Sequence, residues 1–173
     1  EENWNRPAAE VGFLMQLMHK STFDEMESLL ANGLRFRVLG NMERIAPELR
    51  EAIAQLESMT ASNDRLDLIV FLSYSGRWDI LQAARRIALE RPQDAASLTM
   101  EDFSSYLVTA GIPDRDLIIR TSGEQRISNY LLWQGAYSEF YFTDTLWPDF
   151  GREELDRALD SYASRDRRYG KVK

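Results

Sequence analysis

An apolar run that stops abruptly at a charge constrains this chain more than any other feature. Leu117, Ile118 and Ile119 lead straight into Arg120, and Thr121, Ser122 and Gly123 then supply turn residues. Such a run bounded by turn residues predicts a short buried strand. A strand that delivers an arginine at its carboxyl end predicts an open α/β sheet, because ligands of these sheets sit beyond the strand C-termini. The surrounding segment, Asp116 to Phe150, is the only part of the chain where such a strand, paired arginines, a carboxylate among aromatics and further dense aromatics coincide.

Arg120 and Arg126 bracket a loop containing Gly123 and Glu124, and Ser128 with Asn129 is placed to cap a helix predicted over Tyr130 to Ala136. Two guanidiniums, a hydroxyl and helix-start amides suit a phosphate or diphosphate, since arginine binds such oxygens bidentately and helix N-termini favour anions. Two solvated loop arginines would satisfy the same spacing. Glu139 lies in Tyr137-Ser-Glu-Phe-Tyr-Phe142. A carboxylate in that setting either points into a cleft, where a metal or proton role follows, or faces water at a strand edge.

These residues resemble a known family. The run from Arg120 through Arg126, Ile127 and Ser128 to Gln134, then Tyr137 to Asp144 and Leu146 to Phe150, is similar to the C-terminal signature of the cis-prenyltransferases, the undecaprenyl diphosphate synthase family. Glu2-Asn3-Trp4-Asn5-Arg6-Pro7 and Tyr74-Ser75-Gly76-Arg77-Trp78-Asp79 match two further motifs in the family's order, although the family usually has two glycines where this chain has Ser75-Gly76.

The resemblance implies an α/β fold with a mostly parallel central sheet flanked by helices and a hydrophobic tunnel, carried by residues 1–173 as a single domain. It implies sequential cis condensation of isopentenyl diphosphate onto an allylic diphosphate such as farnesyl diphosphate, giving a long-chain polyprenyl diphosphate such as undecaprenyl diphosphate. It further implies that Arg120, Arg126, Ile127 and Ser128 contact isopentenyl diphosphate, that Glu139 helps to hold Mg²⁺, and that Glu2, Trp4 and Arg6 contact substrate. Asn3 matches a position assigned to proton removal, although an amide is a poor base and suits positioning a diphosphate or water better. Arg168 and Gly170 match a C-terminal Arg-x-Gly that reaches the diphosphate site across a homodimer interface, to which the aromatics near Trp147 could contribute. Trp4 could equally be a core aromatic. The strand from Leu66 is expected to line the tunnel and limit product length, and the lipid product would bring peripheral membrane contact. The rival reading is a non-catalytic partner subunit of a heteromeric prenyltransferase, which such an intact central signature disfavours.

The chain opens at Glu1, inside the first motif. The family carries a further βαβ segment with an Asp-Gly-Asn-Gly-Arg-Trp motif before this point, so the 173 residues are expected to be a portion of a longer enzyme.

Composition narrows the alternatives. A net charge of −7 argues against a general nucleic-acid binder. With no cysteine there is no disulfide, thiolate nucleophile or cysteine zinc site, which fits a cytoplasmic protein. His19 is the only histidine, so the sequence spells neither a Ser-His-Asp triad nor a histidine metal pair, and a solvated or packed histidine is expected.

Elsewhere, Pro7 opens one long amphipathic helix carrying Val11, Leu14, Met15, Met18, Met26, Leu29 and Leu30 up to Gly33. Leu34, Phe36 and Val38 alternate with Arg35 and Arg37 as a half-exposed strand. Pro47 starts a helix with Leu49, Ile53 and Leu56 on one face. Leu66 to Leu72 reads as a strand covered on both sides. A helix over Trp78 to Leu89 is expected to turn Ile80, Leu81, Ala84, Ile87 and Ala88 inward. Thr99 and Asp102 form a capping box. A last helix carries Leu155, Leu159 and Tyr162 and ends in a basic tail.

Overall fold

In the computed structural model the described residues are 2–94 and 96–167, with the side chains of 2, 3 and 23 outside that set. The chain divides into two units, Glu1–Ala110 and Gly111–Lys173. The α/β class expected from the sequence is observed, with the described strands forming two parallel pairs, one in each unit.

The first unit starts with a 3₁₀ turn, Glu2–Asn5, followed by α1 (Ala8–Asp24) and α2 (Met26–Ala31). The single long helix expected here is interrupted at Glu25. The break falls beside Thr22, whose hydroxyl donates back to the Met18 carbonyl at 2.9 Å, a bond that tends to bend helices. Next come β1 (Leu34–Leu39), α3 (Pro47–Thr60), β2 (Leu66–Phe71), α4 (Gly76–Glu90) and α5 (Met100–Ser104).

Proline at the start of α3 presets its first turn, and Leu49, Ala52, Ile53, Leu56 and Thr60 fall on one buried face at helical spacing. That face meets the inward residues of β1, Phe36 and Val38, together with Leu29 and Ile45. Burial of each large side chain in this cluster contributes about 1.5–3 kcal/mol. β1 alternates as expected: Arg35 turns outward and forms a two-pronged ion pair with Asp67 opposite it on β2. On the edge of β1 away from β2, the Phe36 amide donates to the Thr60 hydroxyl at 3.1 Å and the Val38 amide to Glu57 Oε1 at 2.7 Å. Gly40 closes β1 with φ at +143°, and a Cβ there would lie 1.8 Å from the Leu72 carbonyl oxygen, so only glycine permits this approach.

Two expectations need correction in this unit. β2 is not covered on both faces, because Leu66 and Leu68 are exposed while α2 and α3 pack on β1. α4 buries Gly76, Asp79, Ala83 and Ile87, leaving Leu81, Ala84 and Ala88 outward. The reason is the carboxylate of Asp79, which is buried and accepts hydrogen bonds from the Tyr74 hydroxyl (3.1 Å), Gln82 Nε2 (3.0 Å) and the Val108 amide (3.0 Å). A satisfied buried carboxylate fixes which face turns in.

The capping box forms as expected at α5. The Thr99 hydroxyl accepts from the Asp102 amide and donates to the Asp102 carboxylate, which also accepts from the Thr99 amide. Arg91 bridges Asp94 and Asp102 at 2.7 and 2.8 Å. Its guanidinium, followed by the Thr99 donors, holds the Asp102 carboxyl well below the usual carboxylate range.

The second unit contains β3 (Leu117–Arg120), β4 (Glu139–Phe142), a 3₁₀ turn at Trp147–Asp149 and α6 (Arg152–Ala163). α6 buries Ala158 completely, whereas Leu155 and Leu159 are only half covered. No helix among the described residues is long and apolar enough to cross a membrane.

Candidate functional site

β3 and β4 pair in parallel with Ile118 beside Phe140 and Arg120 beside Phe142. Because side chains alternate along a strand, these four share one face of the pair. Phe140 and Phe142 stack with ring centroids 5.8 Å apart, giving that face an apolar floor. The floor belongs to a cleft of about 380 Å³ lined also by Thr121, Ser122, Glu124, Arg126, Ile127, Ser128 and Tyr130. That volume suits a small ligand, as does an apolar wall carrying a few convergent polar groups.

The strand ends are tied by backbone bonds that shape the loop. The Thr143 amide donates to the Arg120 carbonyl (3.0 Å), the Ser122 amide to the Thr145 carbonyl (2.9 Å) and the Gly123 amide to the Thr143 carbonyl (2.9 Å). Ser122 and Gly123 both sit at φ +70°. With these two amides committed to carbonyls, the guanidiniums and hydroxyls are left to bear an anion.

Arg120 reaches across the cleft and donates from Nη1 to the Ser128 hydroxyl at 2.9 Å. Arg126 is mostly exposed and forms an ion pair with Glu124. Desolvation raises the Tyr130 hydroxyl pKa, with Arg115 opposing it, so this phenol is a neutral group at physiological pH. The four residues expected to contact one diphosphate, Arg120, Arg126, Ile127 and Ser128, therefore do line a single cleft.

The helix expected over Tyr130 to Ala136 is replaced by turns. Ser128, Asn129 and Leu131 have φ of 48°, 59° and 46°, left-handed values that cannot continue a right-handed helix. The helix-start amides inferred from the sequence are thus not part of the site.

Glu139 lies elsewhere. Strand alternation puts it on the face opposite Phe140 and Phe142, and its Oε2 accepts from Arg165 Nη1 at 2.7 Å. Arg165 also donates to the Phe140 carbonyl at 2.7 Å, pinning the segment after α6 against β4. Nearby, Arg167 donates to Asp116 (2.5 Å) and to the Tyr162 hydroxyl (2.7 Å). No cluster of three histidine, aspartate or glutamate residues suited to a metal occurs among the described residues. Glu139 supplies a hard carboxylate oxygen, Oε1, beyond the one that Arg165 engages. Magnesium commonly takes one or two carboxylates with substrate phosphates and waters, so this donor fits such an ion only in company with a diphosphate.

In the first unit, Trp4 packs against the apolar cluster, donates from Nε1 to the Ser73 hydroxyl at 2.8 Å, and carries Arg44 over its ring at 4.7 Å. Arg6 is exposed and paired with Glu10 at 2.6 Å. Glu2 and Asn3 stand in the opening 3₁₀ turn, their side chains outside the described residues, as are Arg168 and Gly170 altogether.

Reading the sequence left Glu124, Thr121, Phe140, Phe142 and Arg165 without a role. The two-residue period of Glu-Phe-Tyr-Phe would have separated Phe140 and Phe142 from Glu139. No local signal marks Arg165, which is 26 residues away from its carboxylate partner.

The sequence model of the family described as "Putative undecaprenyl diphosphate synthase" matches residues 1–170, and the chain belongs to this prenyltransferase family. It is 49% identical over 171 residues to the isoprenyl transferase of Nitrosomonas europaea, an alignment covering 99% of this chain and 65% of that protein. A ditrans,polycis-undecaprenyl-diphosphate synthase of Pseudomonas putida, described as farnesyl-diphosphate specific, is 46% identical over 177 residues, with 99% and 69% covered. Among solved structures, lavandulyl diphosphate synthase from Lavandula x intermedia in complex with dimethylallyl diphosphate aligns with a TM-score of 0.94 at 36% identity, covering 98% of this chain and 75% of that one. The chain thus spans about two thirds of the length of the Nitrosomonas relative.

Proposed function

We propose that this chain carries out cis-prenyl transfer, condensing isopentenyl diphosphate onto an allylic diphosphate, with farnesyl diphosphate as the starter and undecaprenyl diphosphate as the product. The observation that carries this reading is the convergence of Arg120, Arg126 and Ser128 on one apolar-walled cleft in a member of the prenyltransferase family.

In the reaction the allylic carbon–oxygen bond ionises, diphosphate leaves, the isopentenyl double bond attacks the cation, and a proton is lost. Arg120, Arg126 and Ser128 hold the isopentenyl diphosphate, its oxygens accepting from guanidinium and hydroxyl donors. Ile118, Phe140 and Phe142 pack along the hydrocarbon and keep water from the cation. Magnesium, when bound, supplies positive charge against the departing diphosphate. Glu139 would contribute a carboxylate oxygen to it. Asn3 positions a diphosphate or water for proton removal, and Glu2, Trp4 and Arg6 contact substrate. Leu66 and Leu68, exposed on β2, would line a hydrocarbon tunnel and limit chain length. Arg168 and Gly170 complete the site across a cytoplasmic homodimer.

Incubation with labelled isopentenyl diphosphate, farnesyl diphosphate and Mg²⁺, followed by thin-layer separation, tests the proposal. A long-chain labelled lipid supports it. A fifteen-carbon product alone overturns the product assignment, and no incorporation favours the partner-subunit reading instead.

A further inference from the structure

We propose that Glu124 is an internal counter-anion on Arg126 that a diphosphate displaces and that a single phosphate does not, so that it sets how tightly the cleft holds a diphosphate. This rests on the reading of the cleft as a diphosphate site. The two arginines of the cleft are held differently. Arg120 donates to a neutral hydroxyl, Ser128, which costs an incoming anion nothing in charge, since the hydroxyl can turn and donate to the ligand itself. Arg126 is paired with a carboxylate that lines the same cleft. An anion reaching Arg126 must therefore break an ion pair first, whereas one confined to Arg120 and Ser128 need not.

The Arg126–Glu124 pair is weak enough to yield. Its side chains are 62% and 39% exposed, and exposed pairs of this kind are held by modest, salt-screened attraction. A phosphate group docked at Arg120 and Ser128 gains nothing from displacing Glu124. A second, covalently linked phosphate is already at high local concentration beside Arg126 and can replace the carboxylate with a bidentate contact of its own.

Calorimetric titration of inorganic diphosphate and inorganic phosphate into the wild-type chain and the Glu124→Gln and Glu124→Ala variants tests this. Both variants should bind diphosphate about two- to fivefold more tightly than wild type, the factor expected for removing an exposed ion pair, with phosphate affinity unchanged. A matched gain for phosphate and diphosphate would overturn the proposal, because Glu124 would then act as a diffuse charge. Unchanged or weakened diphosphate binding in both variants, with circular dichroism showing them folded, would also overturn it. If wild type binds no diphosphate, or if Arg120→Ala and Arg126→Ala leave its binding intact, the diphosphate reading of the cleft fails and takes this inference with it.

Discussion

The two units of the chain are held together by different means. In the first, Leu29, Phe36, Val38, Ile45, Leu49, Ile53 and Leu56 form one apolar cluster closed by α3. In the second, the large apolar residues Ile118, Phe140, Phe142 and Leu159 are only partly covered, and Leu131 and Ala158 are its buried hydrophobic residues among those described. What orders the second unit is polar: the backbone bonds joining the ends of β3 and β4, and the arginines that clamp Glu139 and Asp116. The difference teaches that a cleft with apolar walls leaves those walls uncovered, and so must be braced by hydrogen bonds and charges in place of burial.

The largest effect that would break this contrast is a core truncation. Leu56→Ala in the first unit should cost about 2–5 kcal/mol of stability, read from the urea midpoint. A loss no greater than that of an exposed substitution would deny the first unit its dependence on burial. Arg126→Ala tests the second unit in the opposite sense. Diphosphate affinity should fall on the order of tenfold by calorimetry, matching about 1.5 kcal/mol for a hydrogen bond to a charged group. Stability should move by less than about 0.5 kcal/mol, as expected for an exposed side chain.

A smaller effect concerns the polar corner of the first unit. Thr99→Ala removes the cap of α5 and should cost about 1 kcal/mol in thermal unfolding. The smallest is a matter of pH. Asp102 has a lowered pKa in the folded chain, so the folded state holds fewer protons here than the unfolded one in mildly acid solution. Its stabilising contribution is complete above the ordinary carboxylate value of about 4 and is lost as pH falls through the folded value below it. Asp102→Asn should flatten that acid limb in a melting-temperature series, and an unchanged limb would remove Asp102 from the account.

Much of the architecture was legible in the sequence. Strand alternation in Leu34–Leu39, the apolar stripe of α3, the capping box of α5 and the strand ending at Arg120 are all local patterns, and all appear where expected. So was the grouping of Arg120, Arg126 and Ser128, since they are only eight residues apart. What was not legible depends on partners distant in sequence or on unusual backbone. The face that α4 buries is decided by Asp79 meeting the Val108 amide, 29 residues on. The loop after Ser128 is decided by left-handed φ at non-glycine residues, which propensity alone disfavours. The aromatics around Glu139 left open which way it faces; strand alternation turns it to the face opposite Phe140 and Phe142, where Arg165, 26 residues on, meets it.

The side chains of Thr60 and Glu57 have a consequence for self-association. Exposed sheet borders are where chains template one another into aggregates. On the outer border of β1, two successive amide hydrogens are already taken by α3. A foreign strand could join that border only by first stripping the helix from it, which would open the apolar cluster. The same helix that closes the core thus also shields the protein against polymerising from that side.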